Sequence, residues 1–141
     1  MTTTTLLAAY PGRYFAAWNG RDLDAVAPIL ADAFHWTDPL LPAPLEHLDA
    51  AHGFFTGSWG AFPDLRFELI GEPLVDEAAA RVAQEWRMLG THSGEFPPLP
   101  VTGKPFDVTG TDVFTVDEDG RATVVRAYYD ALGLMRQLGL A

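Results

Sequence analysis

The chain has 141 residues, no cysteine, and 19 acids against nine bases, for a net charge of −10. Its length fits a single domain over residues 1–141, and 48% hydrophobic residues can build a core, which excludes a disordered chain. The charge disfavours nucleic acid and anionic membranes as partners. The missing cysteine excludes disulfides and thiol chemistry, and no apolar run approaches the roughly 20 residues of a membrane span.

The N-terminus lacks the early Lys or Arg of a signal peptide, so a cytoplasmic protein is expected, and Thr2 to Thr5 read as a loose tail. Leu7, Tyr10, Tyr14, Ala17 and Trp18 recur at spacings of three and four, the stripe of an amphipathic helix over 5–20. Pro11 either starts that helix or bends it. Asn19-Gly20 ends it, and Asp22 is a good N-cap for a second helix burying Leu23, Val26, Ile29 and Leu30. Ala33 to Asp38 reads as a short strand stopped by Pro39, and the proline-rich stretch to Pro44 as a loop. Leu45 to Trp59 predicts a third helix, through Leu48, Ala51, His52, Phe55 and Trp59.

Phe62-Pro63-Asp64 is a turn, and Leu65 to Ile70 alternates as a strand. Ala78 to His92 is ambiguous: its alanines favour helix, while Val82, Gln84, Trp86 and Met88 alternate with charged residues as a strand would. His92 to Pro105 reads as a long loop or lid. Val108 to Val116, the turn Asp117-Glu118-Asp119-Gly120 and Ala122 to Asp130 read as a β-hairpin. Leu132 to Leu140 is a helical or irregular tail. Helices first and antiparallel strands after predict an α+β fold, with helices packed on one face of a curved sheet.

Within the hairpin, Asp112 shares a face with Val108, Phe114 and Val116. A carboxylate on an apolar face is either a paired structural acid or a functional one with a raised pKa. No His or acidic residues stand at metal-ligand spacing, and there is no phosphate loop or nucleophile elbow. Neither a metal nor another cofactor is expected.

Four segments, Phe62-Pro63-Asp64-Leu65, Gly90 to Phe96, Pro100 to Lys104 and Asp130 to Gly139, resemble the SnoaL-like polyketide cyclase (ester cyclase) family. The resemblance implies the nuclear transport factor 2-like fold: a curved antiparallel β-sheet wrapped by N-terminal helices into a cone with an internal apolar pocket, often as a homodimer. Arg13 to Asp24, Thr37-Asp38-Pro39 and Thr111 to Phe114 also resemble ketosteroid isomerase, which shares that fold. That second resemblance implies Asp38 as general base, with Tyr14 and a protonated Asp112 holding an enolate oxygen. One departure matters. The acid and the His of the family's aldol cyclases fall on Ala127 and Phe114, so their aldol reaction does not carry over.

The expected ligand is a small hydrophobic carbonyl compound, in contact with His92, Trp86, Phe114, Phe55, Trp59, Ala127 and Trp36. The plainer readings remain beside this one: Tyr14 as a core aromatic, Asp38 as a turn acid, His92 as a loop tether. If Val125, Ala127 and Tyr129 face the pocket, then Arg126, Tyr128 and Asp130 face outward and offer a dimer surface. The rival function is a non-catalytic domain that binds a hydrophobic ligand or a protein. Epoxide hydrolysis would need an Arg between two acids.

Overall fold

A computed structural model describes residues 1–141. The helix α1 (Thr4–Gly20) is followed by two 3-10 turns and β1 (Leu30–Thr37), then α2 (Leu48–Ala61). Four strands follow, β2 (Arg66–Asp76), β3 (Arg81–Thr91), β4 (Pro105–Val116) and β5 (Ala122–Tyr129), and α3 (Ala131–Gln137) closes the chain. The strands form one sheet in the order β1-β5-β4-β3-β2. Neighbours pair antiparallel except β1, which joins β5 in parallel. Register breaks between Ile70 and Leu74 and between Thr115 and Val116 bend the sheet, as bulges do.

The sheet curves around α1. Tyr14 and Tyr10 lie 4.7 and 4.8 Å from the Phe114 ring, so the apolar stripe of α1 packs against the centre of β4. The helix runs through Pro11 instead of starting there. The threonine tail is ordered: Thr3 caps α1, and the buried Thr2 donates to the Val116 carbonyl at 2.8 Å. No helix is long and apolar enough to cross a membrane.

Two local expectations change, and one open reading is resolved. The second helix is reduced to the turns Leu23–Ala25 and Ala27–Ile29, because Pro28 cannot donate inside a longer helix, and Leu23 is exposed. The third helix begins at Leu48, because Leu45 instead pairs with Trp36 through two backbone hydrogen bonds of 3.0 and 2.8 Å. The alanines before β3 form a turn with Ala80 at φ 52°, and Arg81 onward is strand. Pairing with β2 and β4 along the whole length of β3 overrides alanine's helix propensity.

Candidate active site

Between α1, α2 and the concave face of the sheet lies a cavity of about 50 Å³, lined by 18 residues of which 15 are hydrophobic. The three others are Asp38, Ser58 and Asp112. Tyr14, Trp36, Trp86, Ala127 and Tyr129 also line it. Three distant segments, the middle of α1, the end of β1 and the middle of β4, thus converge on one small apolar room.

Asp112 reaches the cavity because β4 alternates: Phe114 and Val116, on the same face, are buried with it. The Asp112 carboxyl is 3% exposed, its Oδ1 has no partner in bonding geometry, and no cation offsets its charge. Burial, helped by the nearby Asp38 charge, pushes its pKa up to about 8. The Trp86 indole and Tyr14 hydroxyl beside it pull the other way. At neutral pH Asp112 is therefore mostly a neutral acid, a donor and not a carboxylate.

Asp38 follows β1, where Pro39 ends the strand. Its Oδ1 accepts twice, from the Tyr129 hydroxyl at 2.6 Å and from the Leu40 amide at 2.8 Å. Burial raises its pKa, while these two bonds favour the charged form and lower it. Asp112 has no such donors in bonding geometry, so of the two acids Asp38 ionises first. The pair then holds one base and one acid in a shared cavity.

Tyr14 is 2% exposed, and burial holds its phenol well above the usual pKa, so it too is a donor. Its hydroxyl makes no hydrogen bond to protein, although the ring packs edge-on against Phe15 and beside Trp36. Two neutral donors and one carboxylate can remove a proton beside a carbonyl and hold the oxygen that becomes negative.

Four residues expected against the ligand stand elsewhere. Phe114 is fully buried beneath the Tyr14 ring, which separates it from the cavity. Phe55 is fully buried and stacks on Trp18 at 3.9 Å, so Trp18 and Phe54 form that wall in its place. Trp59 turns its Nε1 to the Trp18 carbonyl at 3.0 Å, outside the lining. His92 is not at the mouth: it is fully buried, against Phe62 and Thr102, and its backbone N–H donates to the Lys104 carbonyl. It pins both ends of the 92–104 loop. Asp130 caps α3 through Gly133 N at 2.8 Å, and no Arg lines the cavity, so the acid–Arg–acid cluster of epoxide hydrolysis is not assembled here.

Phe96 and Ser58 belong to the wall and were not anticipated as site residues, while Tyr129 was placed on the pocket face but given no role. Tyr129 did carry a signal, since alternation along β5 puts it on the face of Ala127. No group of three or more His, Asp or Glu is arranged to hold a metal.

A sequence profile of the SnoaL-like polyketide cyclase family matches residues 9–138. The chain belongs to that family. No curated protein sequence matches it. Its SnoaL-like fold is shared with TsrD of Streptomyces laurentii (20% identity, TM-score 0.82, all of both chains covered). It is shared as well with a SnoaL-like protein of Jannaschia sp. CCS1 (22% identity, TM-score 0.83, 97% of this chain and 94% of that one). IdmH of Streptomyces antibioticus is 25% identical over 92% of this chain and 96% of its own, with a TM-score of 0.72.

Proposed function

We propose that this SnoaL-like protein is a cytoplasmic, cofactor-free acid–base enzyme, an isomerase or cyclase acting on a small apolar carbonyl compound. Asp38 is the base, and Tyr14 and protonated Asp112 hold the developing enolate oxygen. The observation that carries this reading is the opening of Asp38, Asp112 and the Tyr14 side chain onto one apolar cavity, with Asp112 unpaired by any cation. A buried acid kept neutral beside a second acid favours proton-transfer chemistry over ligand binding alone. The binding-only rival would gain from a Tyr14 sealed off the cavity and an ion-paired Asp112, and neither is present.

The cavity volume narrows the substrate. About 50 Å³ is room for a few waters, while pockets that hold drug-sized ligands span roughly 300–1,000 Å³. A small cyclic ketone needs little adjustment, and a steroid-sized one needs the Leu40 and Phe96 loops to part. The test is turnover of a small β,γ-unsaturated cyclic ketone and of a Δ5-3-ketosteroid, followed by conjugated-enone absorbance, beside Asp38→Asn. Turnover lost in the variant by about 10²- to 10⁴-fold supports the assignment. Tight binding with no turnover in the unaltered protein would move the assignment to the binding-only rival.

We also infer a homodimer formed through the outer face of the sheet. There Leu74 and Tyr128 are exposed around a shallow groove with Ala83 and Val113. Sedimentation showing a monomer at micromolar concentration would sink this, and Leu74→Glu is expected to dissociate the dimer.

A further inference from the structure

We propose that Tyr129 is the positioning residue of the Asp38 base: its hydroxyl, with the Leu40 amide, occupies Oδ1 and leaves Oδ2 as the carboxylate atom that takes the substrate proton. The proposal rests on Asp38 being the base. The geometry is specific. Both hydrogen bonds to Asp38 end on Oδ1, at 2.6 Å from Tyr129 and 2.8 Å from Leu40, and Oδ2 accepts none. A carboxylate oxygen with two donors in place is the weaker proton acceptor of the two, because binding a proton there means giving up a donor.

The two donors also fix the carboxylate plane, since they come from separate elements. Leu40 lies two residues beyond Asp38, in the same turn, while Tyr129 ends β5, 91 positions along the chain. The Tyr129 ring is itself held, edge-on to Trp86 at 5.6 Å between centroids. Trp86 stands beside Asp112, so one aromatic contact ties the placement of the base to the placement of the acid.

The protonation states agree. Burial and the Asp38 charge hold the Tyr129 phenol far above its ordinary pKa, so it remains a donor throughout the working range. Its bond favours the ionised form of Asp38 and opposes the effect of burial. The titratable groups that face this pair are Tyr14 from α1 and Asp112 from β4. Neither hydrogen-bonds to Asp38, whose two donors are Tyr129 and Leu40. Without Tyr129, Asp38 keeps its burial and loses one of its two stabilising bonds, and its proton leaves at higher pH.

The experiment is a ¹³C NMR titration of the Asp38 carboxyl in the unaltered protein, in Tyr129→Phe and in Tyr128→Phe, with pH–rate profiles of all three. Tyr128 lies on the outer face, exposed, and controls for loss of a phenol in the same strand. Tyr129→Phe keeps the ring against Trp86 and is expected to fold. Its Asp38 midpoint is expected to move to higher pH, and the acid limb of kcat/KM to move with it, while Tyr128→Phe stays at the wild-type midpoint. An unmoved Asp38 midpoint in folded Tyr129→Phe overturns the proposal, and so does an equal shift in Tyr128→Phe. If the unaltered protein turns over no carbonyl substrate, the base assignment fails in the kinetics, while the NMR titration still decides whether Tyr129 governs Asp38.

Discussion

Tyr10 and Tyr14 stand one turn apart on α1, both buried, their rings 6.2 Å apart. The Tyr10 hydroxyl donates to the Ile29 carbonyl at 2.6 Å, whereas the Tyr14 hydroxyl bonds to no protein group and its side chain lines the cavity. Neighbours with the same burial therefore stand in different bonding environments. Tyr10→Phe removes a buried hydrogen bond and leaves a carbonyl unsatisfied, so it is expected to cost about 1–3 kcal/mol in urea denaturation. Tyr14→Phe breaks no protein hydrogen bond and is expected to change stability by less than about 1 kcal/mol, while kcat falls about 10²- to 10³-fold through loss of an oxyanion donor. A Tyr14→Phe protein as active as wild type would remove Tyr14 from the mechanism.

Asp112 makes stability depend on pH in a direction opposite to most carboxylates. Its pKa is about 8 in the folded chain, against an ordinary aspartate value once the chain unfolds. Between roughly pH 4 and pH 8 the folded state holds a proton that the unfolded state has released. Stability therefore falls as pH rises through that window, by at most about 1.4 kcal/mol per pH unit for this one group. Asp38, whose pKa is also raised, adds to the fall in the same sense. Asp112→Asn keeps a neutral side chain of similar shape and removes the titration. In urea melts at about pH 5 and about pH 9, the wild type is expected to lose more stability than the variant on going to the higher pH. Parallel curves would show that Asp112 is ionised in the folded protein.

The hairpin around Asp112 was legible because alternation is a local property. Of the β4 residues that the pattern placed on one face, Val108, Asp112, Phe114 and Val116 are buried and Gly110 is half-buried, and the turn ends in Gly120 at φ 77° as its backbone requires. An acid within that apolar row was visible for the same reason. The bond between Tyr129 and Asp38 was not, since it depends on β1 and β5 running side by side in parallel, a pairing no short stretch encodes. His92, at a strand end after Gly90 and Thr91, left two readings open, a contact at the pocket mouth and a loop tether. The loop that follows folds back, with Gly103 donating to the His92 carbonyl at 2.8 Å, and buries it. Phe55 and Trp59 were placed on the correct helix, but Trp18 comes between them and the cavity.

Gly94 marks where the 92–104 loop is anchored to the end of α2. Its N–H donates to the Ala61 carbonyl at 3.0 Å, and a Cβ there would meet the Gly60 carbonyl oxygen at 1.7 Å. The obstacle is backbone, so the loop itself must move. Gly94→Ala is expected to cost about 1–3 kcal/mol by overpacking and to loosen the cavity wall that Phe96 supplies. Hydrogen exchange should show faster opening at residues 92–104 than in wild type. Unchanged protection there would mean that the loop accommodates the methyl without leaving α2.

Phe96 and Leu40 stand between two apolar spaces. Both residues line the cavity, and both also line an outer apolar hollow where the 38–44 and 92–104 loops meet, so they form the partition between the two spaces. The inner room, about 50 Å³, is far below what a steroid-sized ligand fills. Phe96→Ala joins inner room and outer hollow without touching Asp38, Tyr14 or Asp112. Because Phe96 is half-buried on a loop, the stability cost should lie below the roughly 3–5 kcal/mol of a fully buried Phe→Ala. The variant is expected to bind a steroid-sized ketone more tightly relative to a small cyclic ketone than the unaltered protein does, as read by calorimetric titration of both. If the preference between the two ketones is unchanged, Phe96 is not the partition, and the substrate enters by another face of the cone.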